Sequence, residues 1–65
     1  MKLETTDHAI HRVEHEIQCL TEEQTEAMET ATFIGLTADE TEQYDTRRAR
    51  IVELVRELRL LQAAA

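Results

Sequence analysis

Three histidines and one cysteine are the residues whose spacing could support chemistry. His8, His11 and His15 are separated by three and four residues, and Cys19 follows His15 by four. On a helix this spacing places all four side chains on one broad face, where His11 and His15 can chelate a divalent metal ion. The sequence contains neither an H-E-x-x-H motif nor a second cysteine. We therefore expect no bound metal and no cofactor, with a metal-binding protein as an alternative.

Cys19 is also a candidate nucleophile, since it carries the only thiol in the sequence. Glu16, Glu22 and Glu23 lie close to it in sequence and disfavour its thiolate form. Nucleophilic catalysis also requires an enclosed site with an oriented base, which a short helical chain does not supply by itself. We expect a protein that is not an enzyme. A single cysteine, which cannot form an intrachain disulfide, also suits a reducing compartment.

The only basic cluster is formed by Arg47, Arg48 and Arg50, in a chain of net charge −7. Such a charge repels nucleic acid and anionic membranes, so we expect neither as a partner. No apolar run approaches the roughly 20 residues of a membrane span. The N-terminal segment also lacks the apolar centre of a signal peptide. These features predict a cytoplasmic location.

One short segment predicts where the chain turns. Gly35 is the only glycine, and glycine readily adopts the left-handed conformation that ends a helix. Leu36 follows it at the position of the hydrophobic contact in a Schellman-type ending. Thr37 and Glu40 then form a T-x-x-E capping box, typical of a helix start. We predict a turn at 34–37 in a single domain spanning 1–65.

Two arms with heptad spacing flank this turn. The first arm carries rows at Leu3, Ile10, Ile17, Gln24, Ala31 and at Thr6, Val13, Leu20, Ala27, Ile34; the second carries rows at Tyr44, Ile51, Leu58 and at Arg47, Leu54, Leu61. The 3-4 alternation predicts packed helices. The fold class is therefore all-α, an antiparallel two-helix hairpin with helices near 6–33 and 38–62. Thr21-Glu22-Glu23-Gln24 resembles a second capping box, but the rows continue past it, so we expect one continuous first helix.

Folding the arms about Gly35 brings specific layers together. Leu20 then faces Ile51, and Gln24 faces Arg47 and Arg48 as a polar layer that either sets the register or is merely tolerated. Glu23 and Arg50 fall on one flank, where we expect an ion pair. The expected core and interface residues are Ile10, Val13, Ile17, Leu20, Ala27, Tyr44, Ile51, Leu54, Val55, Leu58 and Leu61.

Two helices cannot enclose a core, and the apolar arc of the second helix covers about half its circumference. The arms also differ in charge: residues 1–34 hold two basic and eight acidic side chains, and residues 46–62 hold five basic and two acidic. We expect a homodimer that forms a four-helix bundle with C₂ symmetry, acting as a regulatory or structural interaction module. The alternative is a subunit or co-chaperone that presents the same face to a different protein. Phe33 is expected to cover the turn with Leu36.

Overall fold

The computed structural model describes residues 2–64, with the side chains of residues 6–64. Helix α1 spans Lys2–Ile34 and helix α2 spans Ala38–Ala64. The two helices pack antiparallel in a molecule of 49 × 15 × 14 Å, which confirms the predicted helical hairpin. Within residues 2–64, neither helix has a stretch long and apolar enough to cross a membrane.

Helix α1 begins earlier than the sequence predicted, at Lys2 instead of near residue 6, and it runs through Thr21 without a break. Inside this helix the Thr21 carbonyl accepts a hydrogen bond from Thr25 Oγ1 at 3.0 Å. The T-x-x-Q segment therefore lies in the helix interior, as expected from the continuous rows. Leu3, predicted to extend one of these rows, lies outside the described side chains.

Gly35 ends α1 in the left-handed conformation, with φ of 74°. Its N–H donates to the carbonyl of Ala31 at 3.0 Å. This is the 5→1 bond of the simple left-handed ending, whereas the sequence suggested a Schellman-type ending. Leu36 is half-buried beside the turn.

Thr37 starts α2 with both hydrogen bonds of a capping box. Its N–H donates to Glu40 Oε1 at 2.9 Å, and Glu40 N–H donates to Thr37 Oγ1 at 3.2 Å. The backbone hydrogen bond from Thr37, aided by its side chain, lowers the pKa of the Glu40 carboxyl below its usual value of 4.5. The first intrahelical bond follows, from Thr41 N–H to the Thr37 carbonyl at 2.9 Å.

The core of the hairpin lies along one row of each helix. Val13 and Leu54 are the two buried apolar residues among the described side chains, at 4% and 1% exposure. The other residues expected in the core are half-buried: Ile10, Ile17, Leu20, Ala27, Tyr44, Ile51, Val55, Leu58 and Leu61. Two helices thus shield these side chains only in part.

Ile34 was expected to continue the row of Val13, but it is 81% exposed. It is the last residue of α1, and α2 begins only at Ala38 after a three-residue connection. The last turn of α1 therefore extends past the part of α2 that could cover it. Helical spacing alone does not reveal where a neighbouring helix stops.

Candidate interaction surface

One side of the hairpin is lined by ion pairs. Arg50 Nε donates to Glu16 Oε2 across the two helices at 3.2 Å, and Arg50 Nη1 contacts Glu53 Oε2 at 3.3 Å. Arg47 Nη1 lies 4.0 Å from Glu23 Oε2 on the same side. We call the surface formed by Glu16, Glu23, Arg50 and Glu53 the ion-paired side.

Arg50 has a different partner from the one predicted. The sequence suggested Glu23, whereas the structure pairs Arg50 with Glu16 and Glu53. The hydrogen bond that Arg50 donates to Glu16, together with the charge of that carboxylate, raises the pKa of the Arg50 guanidinium further, so this group stays protonated. These side chains are about half exposed, which limits such pairs to a small net stabilisation.

A polar layer crosses the hairpin at Gln24. Its Nε2 donates to the backbone carbonyl of Tyr44 at 2.9 Å, and its Oε1 accepts from Arg47 Nε at 2.6 Å. The predicted contact between Gln24 and Arg47 is therefore confirmed, while Arg48 is exposed. Both ends of the amide are used in joining α1 to α2. Gln24 is thus bonded to a defined level of α2. This supports the interpretation that Gln24 sets the register over the interpretation that it is merely tolerated.

The opposite side of the hairpin is apolar. Successive helical residues turn by about 100°, so Ile51 and Val55 lie on one side of Leu54, and Arg50 lies on the other. The same geometry places Ile10 and Ile17 of α1 opposite Glu16. We call the surface formed by Ile10, Ile17, Ile51, Val55 and Leu58 the open side. All five side chains are half-buried.

One further apolar residue extends the open side. Met28 of α1 lies eleven residues beyond Ile17, on the same side of the helix, and is 51% exposed. Val52 is 45% exposed on the outer face of α2, in a groove with charged side chains. Between the helices near the turn, a shallow groove is lined by Thr21, Gln24, Thr25, Met28, Glu29, Thr32 and Tyr44. The open side therefore continues as a groove from the middle of the hairpin toward the turn.

The histidine face lies on exposed α1 surface. His8, His11, His15 and Cys19 are all exposed, and Cys19 Sγ lies 3.6 Å from His15 Nε2. Among the described side chains, no group of three or more His, Cys, Asp or Glu residues could hold a metal ion. Apart from the contact between His15 and Cys19, the structure does not draw these four residues into a common site.

The basic cluster does not form a single patch. The side chain of Arg47 points to Gln24 and is 20% exposed, and Arg50 contacts Glu16. Arg48 is exposed on another side of α2. The three arginines thus point in different directions, and two of them bind groups of α1.

The end of the hairpin differs from expectation at Phe33. This side chain is 86% exposed and does not cover the turn with Leu36, because helical spacing places it nearly opposite the Val13 row that faces α2. The sequence shows one unusual property around the turn, because residues 21–46 contain eight acidic and no basic side chains.

The chain matches no family model, no curated protein and no solved structure.

Proposed function

We propose that this chain is a non-enzymatic self-association module of the cytoplasm. A second copy covers the open side and completes a four-helix bundle with C₂ symmetry. The observation that carries this proposal is the difference between the two sides of the hairpin. One side is closed by ion pairs around Arg50, and the other presents half-buried aliphatic side chains such as Ile17 and Val55.

The exposed area supports a partner of similar size. The chain has an accessible surface of 5266 Å². A folded monomer of its 7.5 kDa mass typically exposes about 4,250 Å². The excess, about 1,000 Å², is comparable to the roughly 800 Å² that each partner contributes to a stable interface. Covering the open side with a second hairpin accounts for an area of this size.

The role that follows is a regulatory or structural one, because the arrangement provides an interface on an elongated hairpin. Ile10 and Ile17 in α1, like Ile51 and Leu58 in α2, are half-buried and recur at the seven-residue spacing that lets two hairpins interdigitate. A C₂ dimer is the simplest closed assembly of such a surface, since each copy uses the same residues.

Light scattering across a dilution series, with helicity followed by circular dichroism, tests the proposal. We expect a mass of twice 7.5 kDa and a helical dimer. Val55→Glu is the informative variant, because Val55 is half-buried at the outer edge of the open side, where a glutamate in a single hairpin can reach water. A carboxylate buried between two copies is strongly unfavourable, so we expect dissociation to become at least tenfold easier.

Leu60→Glu is the matched control. Leu60 lies on the same helix, is 72% exposed, and is seven residues from Glu53, so it belongs to the ion-paired side. We expect its mass to match that of the unaltered protein. A fully helical monomer at high concentration, or equal effects of the two variants, contradicts self-association through the open side. A monomer that is poorly helical also contradicts it and indicates a different protein as the partner.

A further inference from the structure

The tip of the hairpin, residues 33–36, is the most exposed apolar part of the described chain. Phe33 is 86% exposed and Ile34 is 81% exposed, and the two are adjacent at the end of α1. The open side does not explain them, because Phe33 lies away from the row of Ile17 and Gln24. Exposed large apolar side chains that are neighbours in space often mark a protein contact.

The charge around the tip indicates which kind of partner it fits. Residues 21–46 hold eight acidic and no basic side chains, whereas the other 39 residues hold six acidic and seven basic. The negative charge of the chain is therefore concentrated in the half that contains the turn. Such a concentration produces a field that attracts cations and repels anions.

Few of these carboxylates are neutralised within the hairpin. Among the described residues, Glu23 is the one member of the group in an ion pair, and that contact with Arg47 is 4.0 Å long. Glu40 is used in the capping box. The ion pairs of the described chain otherwise lie at Glu16 and Glu53, outside the turn half.

A groove beside the tip places acidic and apolar groups together. It is lined by Glu23, Asp39, Glu42, Gln43, Thr46 and Arg47. Ile34 is eleven residues, about three helical turns, beyond Glu23, so helical geometry puts it on the same side of α1 as this groove. A ligand that contacts Ile34, next to Phe33, can therefore also place a cationic group near Asp39 and Glu42.

We propose that the tip is a docking surface for a cationic amphipathic helix of another protein. Its large apolar side chains contact Phe33 and Ile34, and its lysines or arginines face Asp39 and Glu42. Helices of this type, with an apolar stripe beside basic residues, are a common form of peptide ligand. The tip of a second copy does not fit, because it carries the same acidic charge. Nucleic acids and anionic lipid surfaces are repelled for the same reason.

Fluorescence anisotropy with two labelled synthetic peptides tests this proposal. Both contain only leucine and lysine in equal composition; one has the leucines at helical spacing and the other is scrambled. We expect the amphipathic peptide to bind, and to bind at least tenfold more weakly to the double variant Phe33→Ser, Ile34→Ser. Both positions are exposed, so the variant keeps its fold, which circular dichroism verifies.

Two further variants separate the apolar and charged contributions. Leu60→Ser removes an exposed apolar side chain remote from the tip, and we expect its affinity to stay within twofold of the unaltered protein. Asp39→Asn with Glu42→Gln should weaken binding several-fold, with a smaller effect of added salt. The proposal is overturned if the unaltered protein does not bind, if the scrambled peptide binds equally well, or if the serine variant binds as tightly as the unaltered protein.

This inference is independent of self-association. The Val55→Glu variant should bind the amphipathic peptide like the unaltered protein, because Val55 belongs to the open side and lies away from the tip. Repeating the titration with that variant separates a failure of dimerisation from a failure of the docking surface. Loss of peptide binding in Val55→Glu would show that the tip acts only as part of an assembled bundle and would contradict the proposal.

Discussion

Gln24 and Arg47 are joined across the hairpin by a 2.6 Å hydrogen bond, and Gln24 is held at its other end by the backbone carbonyl of Tyr44. A side-chain amide that bonds to both a backbone and a charged group fixes the level at which two helices meet. Aliphatic layers above and below this one can slide by a turn at modest cost, but the polar layer cannot.

A double-mutant cycle measures this polar layer. We expect Gln24→Ala and Arg47→Ala to show a coupling of about 1 kcal/mol in the free energy of unfolding, because the bond is half-buried and one partner is charged. Urea unfolding of the two single variants and the double variant provides the value. Arg48→Ala serves as the control, since Arg48 is exposed and its change should stay within about 0.5 kcal/mol. Additive effects of Gln24 and Arg47 would contradict a shared interaction.

The conformation of Gly35 predicts that a substitution at this position lowers the stability of the hairpin through the backbone alone. An added Cβ at Gly35 meets no other atom within 4 Å, so Gly35→Ala loses stability only because φ is +74°. We expect a loss of about 1 kcal/mol. Gly35→Asn should lose less, since asparagine tolerates this conformation better than alanine. Equal losses for the two variants, measured by urea unfolding, would speak against a conformational origin.

The capping box predicts that the stability of the hairpin depends on pH. The folded-state pKa of Glu40 lies below its unfolded value near 4.5, so the ionised carboxylate stabilises the fold fully above that pH. The contribution is lost as the pH falls through the lowered folded-state pKa. Glu40→Gln keeps the capping geometry but cannot titrate, so its stability should depend less on pH in this acidic range than that of the unaltered protein.

Urea unfolding at pH 7 and at successively lower pH, for the unaltered protein and Glu40→Gln, provides the comparison. Glu42→Gln removes a neighbouring charge outside the capping box and is the control. A carbon NMR titration that places the Glu40 pKa at or above 4.5 would refute the prediction.

The burial of Leu54 predicts that the hairpin tolerates little change in its core. At 1% exposure it is the most buried side chain described, and Leu54→Asp places an unpaired carboxylate among aliphatic groups. We expect Leu54→Asp to lose most of its helicity at 25 °C, as should Ile17→Asp. Leu60→Asp changes an exposed leucine on the same helix and should remain helical. Circular dichroism at 222 nm gives the readout, and a Leu54→Asp variant with full helicity and unchanged mass would refute the assigned core.

The turn could be predicted from sequence because its determinants are local. Gly35 and the pair Thr37 and Glu40 act within a few residues, so composition and spacing were sufficient to locate them. The contact between Gln24 and Arg47 could also be predicted, because both positions belong to heptad rows that meet between the two helices.

The partner of Arg50 and the exposure of Phe33 could not be predicted in this way. Arginine and glutamate side chains are long enough to span more than one helical turn, so register alone does not decide which pair forms. Arg50 therefore reaches Glu16 in place of Glu23. Phe33 lies nearly opposite the Val13 row of α1, so only a connection that folds back over it could cover it, and the short connection to α2 does not.

The single turn also determines the order in which the hairpin can assemble. The Gln24–Arg47 bond closes a segment of 23 residues, and the Glu16–Arg50 pair closes one of 34. Because the entropy of loop closure grows with the logarithm of length, the second costs about 0.3 kcal/mol more when formed first. We therefore expect contacts nearest Gly35 to form first, with the remaining layers closing toward the chain ends. Changes at the turn should slow folding, whereas changes near Leu58 should mainly accelerate unfolding.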